Sequence, residues 1–169
     1  MLKSLPPAPA RPIAPGTRIG HVHLKVSDID RALGFYIGVL GFHLKQRYGT
    51  QAAFISSGGY HHDIGLNTWS SKGGKPPAPG TTGLFHIAIL YPQRADLADA
   101  LKRVLEAGHE LDGASNHGVS EAFYLNDPDG NGIELYRDRP EAEWPLNADG
   151  TLAMITERLD LDDLLSLAA

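Results

Sequence analysis

Apolar and polar residues follow the same order in two stretches of the chain. The first stretch alternates over residues 21–26 and then carries apolar residues at helical spacing until Gly41. The second stretch begins at His86, continues into an apolar stripe at helical spacing and ends at Gly108. Each stretch therefore predicts a strand, an amphipathic helix and a glycine that ends the helix.

Further strands are predicted after each helix, where short apolar runs are bounded by turn residues. They cover residues 41–48, 52–56 and 63–68 in the first half and 110–114, 122–126 and 132–137 in the second. The order of one strand, one helix and three strands thus occurs twice. We expect an α+β fold of two βαβββ modules that form a curved, partly closed mixed β-sheet.

The repeat divides the chain into an arm, one domain and an extension. Residues 1–16 form a proline-rich N-terminal arm, and residues 17–139 form the domain. Within the domain, module one covers 17–69, a linker rich in Gly, Lys, Pro and Ser covers 70–82, and module two covers 83–139. Residues 140–169 form a C-terminal helical extension, whose leucine-rich part (152–167) is expected to pack behind the sheet or at a dimer contact, away from the chemistry.

Composition narrows the classes of function. The chain of 169 residues has a net charge of −5, which argues against nucleic acid or an anionic membrane as a partner. No apolar run is long enough to span a membrane or to form the core of a signal peptide, so we expect a soluble cytoplasmic protein. Cysteine is absent, so any metal must be held by nitrogen and oxygen.

Three side chains in apolar strand segments are candidate metal ligands. His21 and His86 occupy equivalent positions of the two repeats, and Glu134 lies in the last strand of the second. Each is on the polar face of its strand, because neighbouring strand residues point to opposite faces. For one such residue alone, a solvated or hydrogen-bonded side chain is the simpler explanation. Together they match the two-histidine, one-carboxylate ligand set of iron sites.

The segments around these positions resemble the vicinal oxygen chelate superfamily, which includes glyoxalase I, bleomycin-resistance proteins and type I extradiol dioxygenases. The resemblance covers about residues 17–139 and rests on residues 21–28, 35–41 and 127–134. It implies a glyoxalase/bleomycin resistance/dioxygenase fold around a metal site. Glyoxalase-like members end both repeats in a metal-binding glutamate, but the first repeat here has Gly65 at the matching place, which leaves coordination positions open.

Two further segments resemble single-domain extradiol dioxygenases of the catechol 2,3-dioxygenase type. Residues 60–66 are similar to a histidine pair that precedes a strand, and this match makes His62 an active-site residue. Residues 116–124 are similar to a stretch with a histidine and a tyrosine, here His117 and Tyr124.

The resemblance implies a catalytic role for each of these residues. His62 would stabilise the negative charge that develops on oxygen, while His117 and Tyr124 would hold the diol oxygens and transfer protons. No role is implied for His23 or His61.

The expected function is therefore an Fe(II)-dependent extradiol dioxygenase that cleaves a catechol-type aromatic diol with O₂. Mn(II) accepts the same ligands as Fe(II). One alternative is a glyoxalase-type lyase or isomerase that uses Zn, Ni or Mn. The other is a drug-binding protein without catalysis, like the bleomycin-resistance members. Edge strands and the C-terminal segment favour a homodimer.

Overall fold

The helices and strands of the computed structural model, which describes residues 11–169, follow the predicted order. Most of the predicted N-terminal arm lies outside the described residues. The elements are β1 (Val22–Lys25), α1 (Ile29–Tyr36), β2 (His43–Tyr48), β3 (Ala52–Ser56), β4 (Ile64–Asn67), β5 (Ile87–Leu90), α2 (Arg94–Glu106), β6 (Gly113–Asn116), β7 (Ser120–Asn126), β8 (Gly132–Asp138), β9 (Glu157–Arg158) and α3 (Leu161–Leu165). A 3₁₀ turn covers Glu141–Glu143.

The strands form two mixed sheets, one for each module. The order is β1-β4-β3-β2 in the first sheet and β5-β8-β7-β6-β9 in the second. In both sheets, the first strand of the module pairs in parallel with the last strand, and the other pairs are antiparallel. The predicted α+β class and its pair of βαβββ modules are therefore confirmed.

Local sequence signals explain where the two long helices begin and end. Asp28 caps α1, and its side chain accepts a hydrogen bond of 2.8 Å from the backbone N–H of Arg31. Gly108 directly follows the C-cap residue of α2 with φ of 78°, a region that favours glycine. Helix α1 ends at Tyr36, earlier than its predicted stop, and Gly41 with φ of 85° follows the turn residues 37–40. In the part of the chain that the structure covers, no helix is long and apolar enough to cross a membrane.

The two modules share one hydrophobic core and are joined by a buried hydrogen bond. The Tyr36 hydroxyl on α1 donates to Asp127 Oδ2 in the turn before β8, at 3.0 Å. Asp127 also accepts the backbone N–H groups of Asp129 and Asn131, each at 2.8 Å. Burial and the Asp127 carboxylate raise the pKa of Tyr36 above its ordinary value. The turn of module two is thereby fixed to the helix of module one.

The C-terminal extension belongs to both the second sheet and the core. β9 pairs with β6, and α3 packs on α2 with Leu164 fully buried. The helix predicted over residues 152–167 is therefore much shorter than expected. Asp160 begins it by accepting the backbone N–H groups of Asp162 and Asp163, and the residues before Asp160 pair as a strand instead.

A buried carboxylate connects β7 to the extension. Glu121 is only 3% exposed and accepts hydrogen bonds from Arg94, Arg137 and Arg139 at 2.8, 2.9 and 2.9 Å. Arg94 also donates to Asp163 of α3 at 2.7 Å. Burial alone would raise the pKa of Glu121, but the hydrogen bonds and charges of Arg94 and Arg137 outweigh it, so that this pKa lies below its ordinary value.

Candidate active site

The register of the parallel strand pairs relates the candidate ligands of the two modules. His21 directly precedes β1 and His86 directly precedes β5. In module one His23 lies opposite Gly65, and in module two Ala88 lies opposite Glu134. Gly65 therefore occupies, in module one, the position that Glu134 has in module two.

His86 and Glu134 form a close nitrogen–oxygen pair. His86 Nε2 lies 2.9 Å from Glu134 Oε2, and the two side chains are 29% and 14% exposed. Metal–ligand bonds of about 2.1 Å put two ligands at right angles about 3 Å apart. An imidazole and a carboxylate at this separation fit two ligands of one divalent ion such as Fe(II) or Mn(II).

His21 lies beside a different histidine. Its ring centroid is 4.4 Å from that of His62, on the first sheet. Within residues 11–169, no group of three or more His, Cys, Asp or Glu side chains is arranged so that it could hold a metal ion. The structure thus brings together His86 and Glu134 and does not bring His21 to them.

A chain of close polar contacts runs from His117 through Tyr124 to Glu134. Tyr124 on β7 lies opposite Glu134 on β8, and its hydroxyl donates to Glu134 Oε1 at 2.9 Å. His117 Nε2 lies 2.9 Å from the same hydroxyl oxygen. Burial, the hydrogen bond to Glu134 and its charge raise the pKa of Tyr124, so the phenol keeps its proton at neutral pH. His117 and Tyr124, which were predicted from one sequence segment, are therefore both connected to the carboxylate of Glu134.

His62 is surrounded by aromatic and imidazole rings. Its ring centroid is 5.0 Å from that of Phe54, and its Nδ1 lies 2.7 Å from the Nδ1 of His61. Desolvation lowers the pKa of His62, and His21, His61 and His23 lower it further. The neutral ring of His62 can donate one hydrogen bond and accept another.

A cavity of about 390 Å³ opens beside His62. It is lined by Lys45, Gln46, Phe54, Gly59, Tyr60, His61 and His62. The pairing of β2 with β3 shifts between Leu44 and Gln46, and a bulge of this kind re-aims side chains. A larger cavity of about 600 Å³ lies between β1, β5 and the end of α1, and none of the six candidate residues, all within the described part of the chain, lines it.

The ring of His23 fills the space above Gly65. A Cβ atom at Gly65 would lie 2.9 Å from ring atoms of His23. The same ring packs against Phe54 and Trp69, with centroid distances of 5.9 and 5.4 Å. A carboxylate ligand at position 65, which glyoxalase-like sites would need, would force this imidazole out of its present position.

Two features of the site could not be predicted from the sequence pattern. Lys45 and Gln46 are neighbours in the chain and both line the His62 cavity, which strict strand alternation would not predict. The carbonyl oxygen of Ile155 lies 3.1 Å from His117 Nδ1. Ile155, in the segment that was expected to stay away from the chemistry, therefore contacts a candidate catalytic residue. It lies outside the repeat and its contact is long-range, so the sequence pattern did not indicate it.

The fold and these site residues define a protein with two βαβββ modules and a mixed nitrogen and oxygen donor set. The chain belongs to the Glyoxalase/Bleomycin resistance protein/Dioxygenase superfamily, whose model matches residues 18–135.

The relatives of this chain include dioxygenases. The chain is 38% identical over 152 residues to a catechol-2,3-dioxygenase of Bacillus subtilis (strain 168), covering 90% of this chain and 52% of that protein. It is 32% identical over 123 residues to biphenyl-2,3-diol 1,2-dioxygenase 3 of Rhodococcus globerulus, covering 72% of this chain and 63% of that protein. The chain therefore spans between half and two thirds of the length of these relatives.

Solved structures share the fold. A lactoylglutathione lyase from Agrobacterium tumefaciens matches with a TM-score of 0.58 and 20% identity, over 73% of this chain and 96% of that one. At this identity the match extends to the fold and carries no information on the reaction.

Proposed function

We propose that this protein is an Fe(II)-dependent extradiol dioxygenase that cleaves a catechol-type aromatic diol with O₂. The observation that carries the proposal is the chain of close polar contacts from His117 through Tyr124 to Glu134, which ends at His86. It joins residues suited to proton transfer with residues suited to metal binding in one connected group. The identity with two diol dioxygenases supports the same reaction.

His21, His86 and Glu134 would hold the metal. The His86–Glu134 pair already has the spacing of two ligands. His21 is exposed and lies beside His62, and it would complete the set by turning toward the pair. Mn(II) would be accepted by the same donors. When bound, the ion would make the diol hydroxyls more acidic and would hold the diol close to O₂.

The chain's own residues would manage protons and charge. Tyr124 keeps its proton and can donate a hydrogen bond to a diol oxygen, while His117 can take up a diol proton at Nε2. His62 lies on the opposite sheet as a neutral imidazole, and its N–H can stabilise negative charge that develops on oxygen.

The alternative functions make different demands on the site. A glyoxalase-type lyase or isomerase with Zn or Ni would need the fourth ligand that Gly65 lacks and that would displace the His23 ring. A drug-binding protein of the bleomycin-resistance kind would need no acid–base chain.

The test is metal analysis combined with a diol assay. The protein is purified without air, analysed for metals, and then given catechol or 2,3-dihydroxybiphenyl in air after loading with Fe(II), Mn(II), Zn(II) or Ni(II). A yellow ring-cleavage product with Fe(II) or Mn(II) supports the proposal. Thiol-dependent isomerisation of a hemithioacetal with Zn(II) or Ni(II), or no turnover with any metal, overturns it.

We also propose that the chain works as a homodimer. The Bacillus relative is about 1.7 times as long as this chain, so two copies would supply a chain length comparable to that of the relative. Large apolar side chains stand exposed at the starts of β1 and β5, where Ile19 and Phe85 are 87% and 88% exposed. Light scattering after gel filtration is expected to give twice the mass of a single chain, and a single-chain mass at all concentrations would contradict the proposal.

A further inference from the structure

His117 is bound to Ile155 through both its backbone and its ring. The backbone N–H of Ile155 donates to the carbonyl oxygen of His117 at 3.1 Å. The ring Nδ1 of His117 lies 3.1 Å from the carbonyl oxygen of Ile155. The Thr156 hydroxyl is more distant, at 3.4 Å from the same Nδ1. One residue of the C-terminal extension therefore fixes both the position and the orientation of the imidazole.

The segment that carries Ile155 is itself held in place. Its backbone folds on itself, since the Ala153 N–H donates to the Pro145 carbonyl oxygen at 2.8 Å. Gly118 follows His117 with φ of 76°, and a Cβ there would lie 2.8 Å from Pro145 Cγ and 3.2 Å from Ile155 Cγ1. The pairing of β9 with β6 continues this contact. The segment that carries Ile155 is therefore closely packed against the turn at His117.

The partner of Nδ1 decides where the proton of a neutral His117 lies. A carbonyl oxygen can only accept a hydrogen bond, so a hydrogen bond across the 3.1 Å contact with Ile155 places the proton on Nδ1. The Thr156 hydroxyl, which could donate to an unprotonated Nδ1, is farther away at 3.4 Å, so the shorter contact favours the proton on Nδ1. In a neutral imidazole the other nitrogen then carries no proton. This leaves Nε2 as an acceptor, and it faces the Tyr124 hydroxyl oxygen at 2.9 Å.

Tyr124 has one proton for two acceptors. Its hydroxyl lies 2.9 Å from both Glu134 Oε1 and His117 Nε2, and it can donate to only one of them at a time. The group of His117, Tyr124 and Glu134 therefore has one acceptor more than it has protons to share. It is ready to take up a single proton without any rearrangement of side chains.

We propose that Ile155 is a positioning residue that fixes His117 as a base at Nε2, so that the C-terminal extension is part of the catalytic site. The inference rests on the proposed diol reaction. In the step assigned to His117, an O–H bond of the diol breaks and an N–H bond forms at Nε2, either directly or through the Tyr124 hydroxyl, with no change in oxidation state. The Ile155 carbonyl continues to accept from Nδ1 in the resulting imidazolium, and the proton returns to the product in a later step.

The first test reads the tautomer of His117 in the metal-free protein. Long-range ¹H–¹⁵N correlation spectra distinguish a ring protonated at Nδ1 from one protonated at Nε2, and the signals are assigned by their loss in His117→Asn. A neutral ring with the proton on Nδ1 is expected. A proton on Nε2 overturns the proposal. This result does not depend on activity, so the tautomer can hold even if wild-type protein turns over no diol.

The second test separates the backbone contact from the side chain of Ile155. Ile155→Pro removes the N–H that donates to His117 and so loosens the paired contact, whereas Ile155→Ala keeps both backbone bonds. We expect Ile155→Pro to lower kcat by about 10- to 100-fold with little change in KM and to shift the His117 tautomer. Ile155→Ala should keep the proton on Nδ1, since both backbone contacts with His117 remain.

Each outcome of the second test is informative. An Ile155→Pro protein with wild-type kcat and tautomer overturns the positioning role. If Ile155→Pro does not fold, the tautomer of His117 in the wild-type protein alone decides whether the proposal holds. Wild-type protein that shows the Nδ1 proton but no turnover of any diol refutes the proposed reaction and leaves the contact between Ile155 and His117 intact.

Discussion

Glu134 uses its two carboxylate oxygens for different partners. Oε1 accepts the Tyr124 hydroxyl, and Oε2 faces His86 Nε2. Glu134→Gln keeps the size and one acceptor but removes the negative charge that a divalent cation needs. We expect the variant to lose the ability to retain iron while its fold is kept. Metal analysis after gel filtration and a far-ultraviolet dichroism spectrum check both points, and iron-dependent activity in the variant would refute the assignment of Glu134 as a ligand.

Tyr124 contributes its hydroxyl to the site and its ring to the packing of β7. Tyr124→Phe removes the atom that connects His117 with Glu134 and keeps the ring. We expect kcat to fall by about 100-fold, the usual scale for losing a proton-transfer group, with a melting temperature close to that of the wild type.

Tyr136→Phe is the matched control for this change. Tyr136 lies on β8 two residues after Glu134 and takes no part in the chain of close polar contacts through Tyr124. Steady-state diol kinetics of both variants check the prediction. An equal loss in the two variants would show that the effect comes from packing.

At the residue scale, the sequence pattern indicated the candidate site residues but not all of their contacts. Tyr124 and Glu134 lie opposite each other on two strands whose alternation of apolar and polar residues could be recognised in the sequence. The position of His21 beside His62 depends on side-chain rotation, which no pattern encodes. The contact of Ile155 with His117 joins residues 38 positions apart through a segment that has no counterpart in the repeat.

At the element scale, α1 and the turn before β8 form a buried polar contact between the modules. The Tyr36 side chain is fully buried, and its hydroxyl is one of several donors to Asp127. Tyr36→Phe is expected to lower the free energy of unfolding by about 1.5–3 kcal/mol, the range for a hydrogen bond to a charged group. Urea unfolding measures the change.

An exposed tyrosine provides the comparison for Tyr36. Tyr48 is 65% exposed, so Tyr48→Phe should change the free energy of unfolding by less than about 0.5 kcal/mol. Equal effects of the two substitutions would refute the role of the buried hydroxyl.

Elements inside the repeat were predicted well, and those outside it were not. Strand β8 begins where its alternation begins, because buried and half-buried residues alternate along most of it. Strand β3 is buried along most of its length, and its short apolar run between turn residues indicated it. β9 has only two residues and exists because β6 offers an edge to pair with. Tertiary pairing therefore overrode the helical spacing of the leucines in the extension.

At the scale of the whole molecule, the Glu121 cluster connects stability to pH. The pKa of Glu121 is lower in the folded protein than its ordinary value, so its ionised form stabilises the fold above the ordinary glutamate pKa. This contribution is lost as pH falls through the lowered value. The free energy of unfolding should therefore decrease in acid, and Glu121→Gln should be less stable at pH 7 and less sensitive to acid.

Urea unfolding of the wild type and Glu121→Gln between pH 7 and pH 3 measures this dependence. Glu141→Gln, at an exposed position of the 3₁₀ turn, is the control and should follow the wild type. Parallel acid curves for wild type and Glu121→Gln would show that other carboxylates determine the response.

The imidazole above Gly65 also constrains how this site could change over evolutionary time. A glutamate at position 65 would bring its Cβ within 2.9 Å of the His23 ring, so the ring would have to shift from its place beside Phe54 and Trp69. Replacement of His23 by a smaller residue would remove this obstacle. We therefore expect the effect of a glutamate at position 65 to depend on the residue at position 23, and a route from three protein ligands to four to involve both positions.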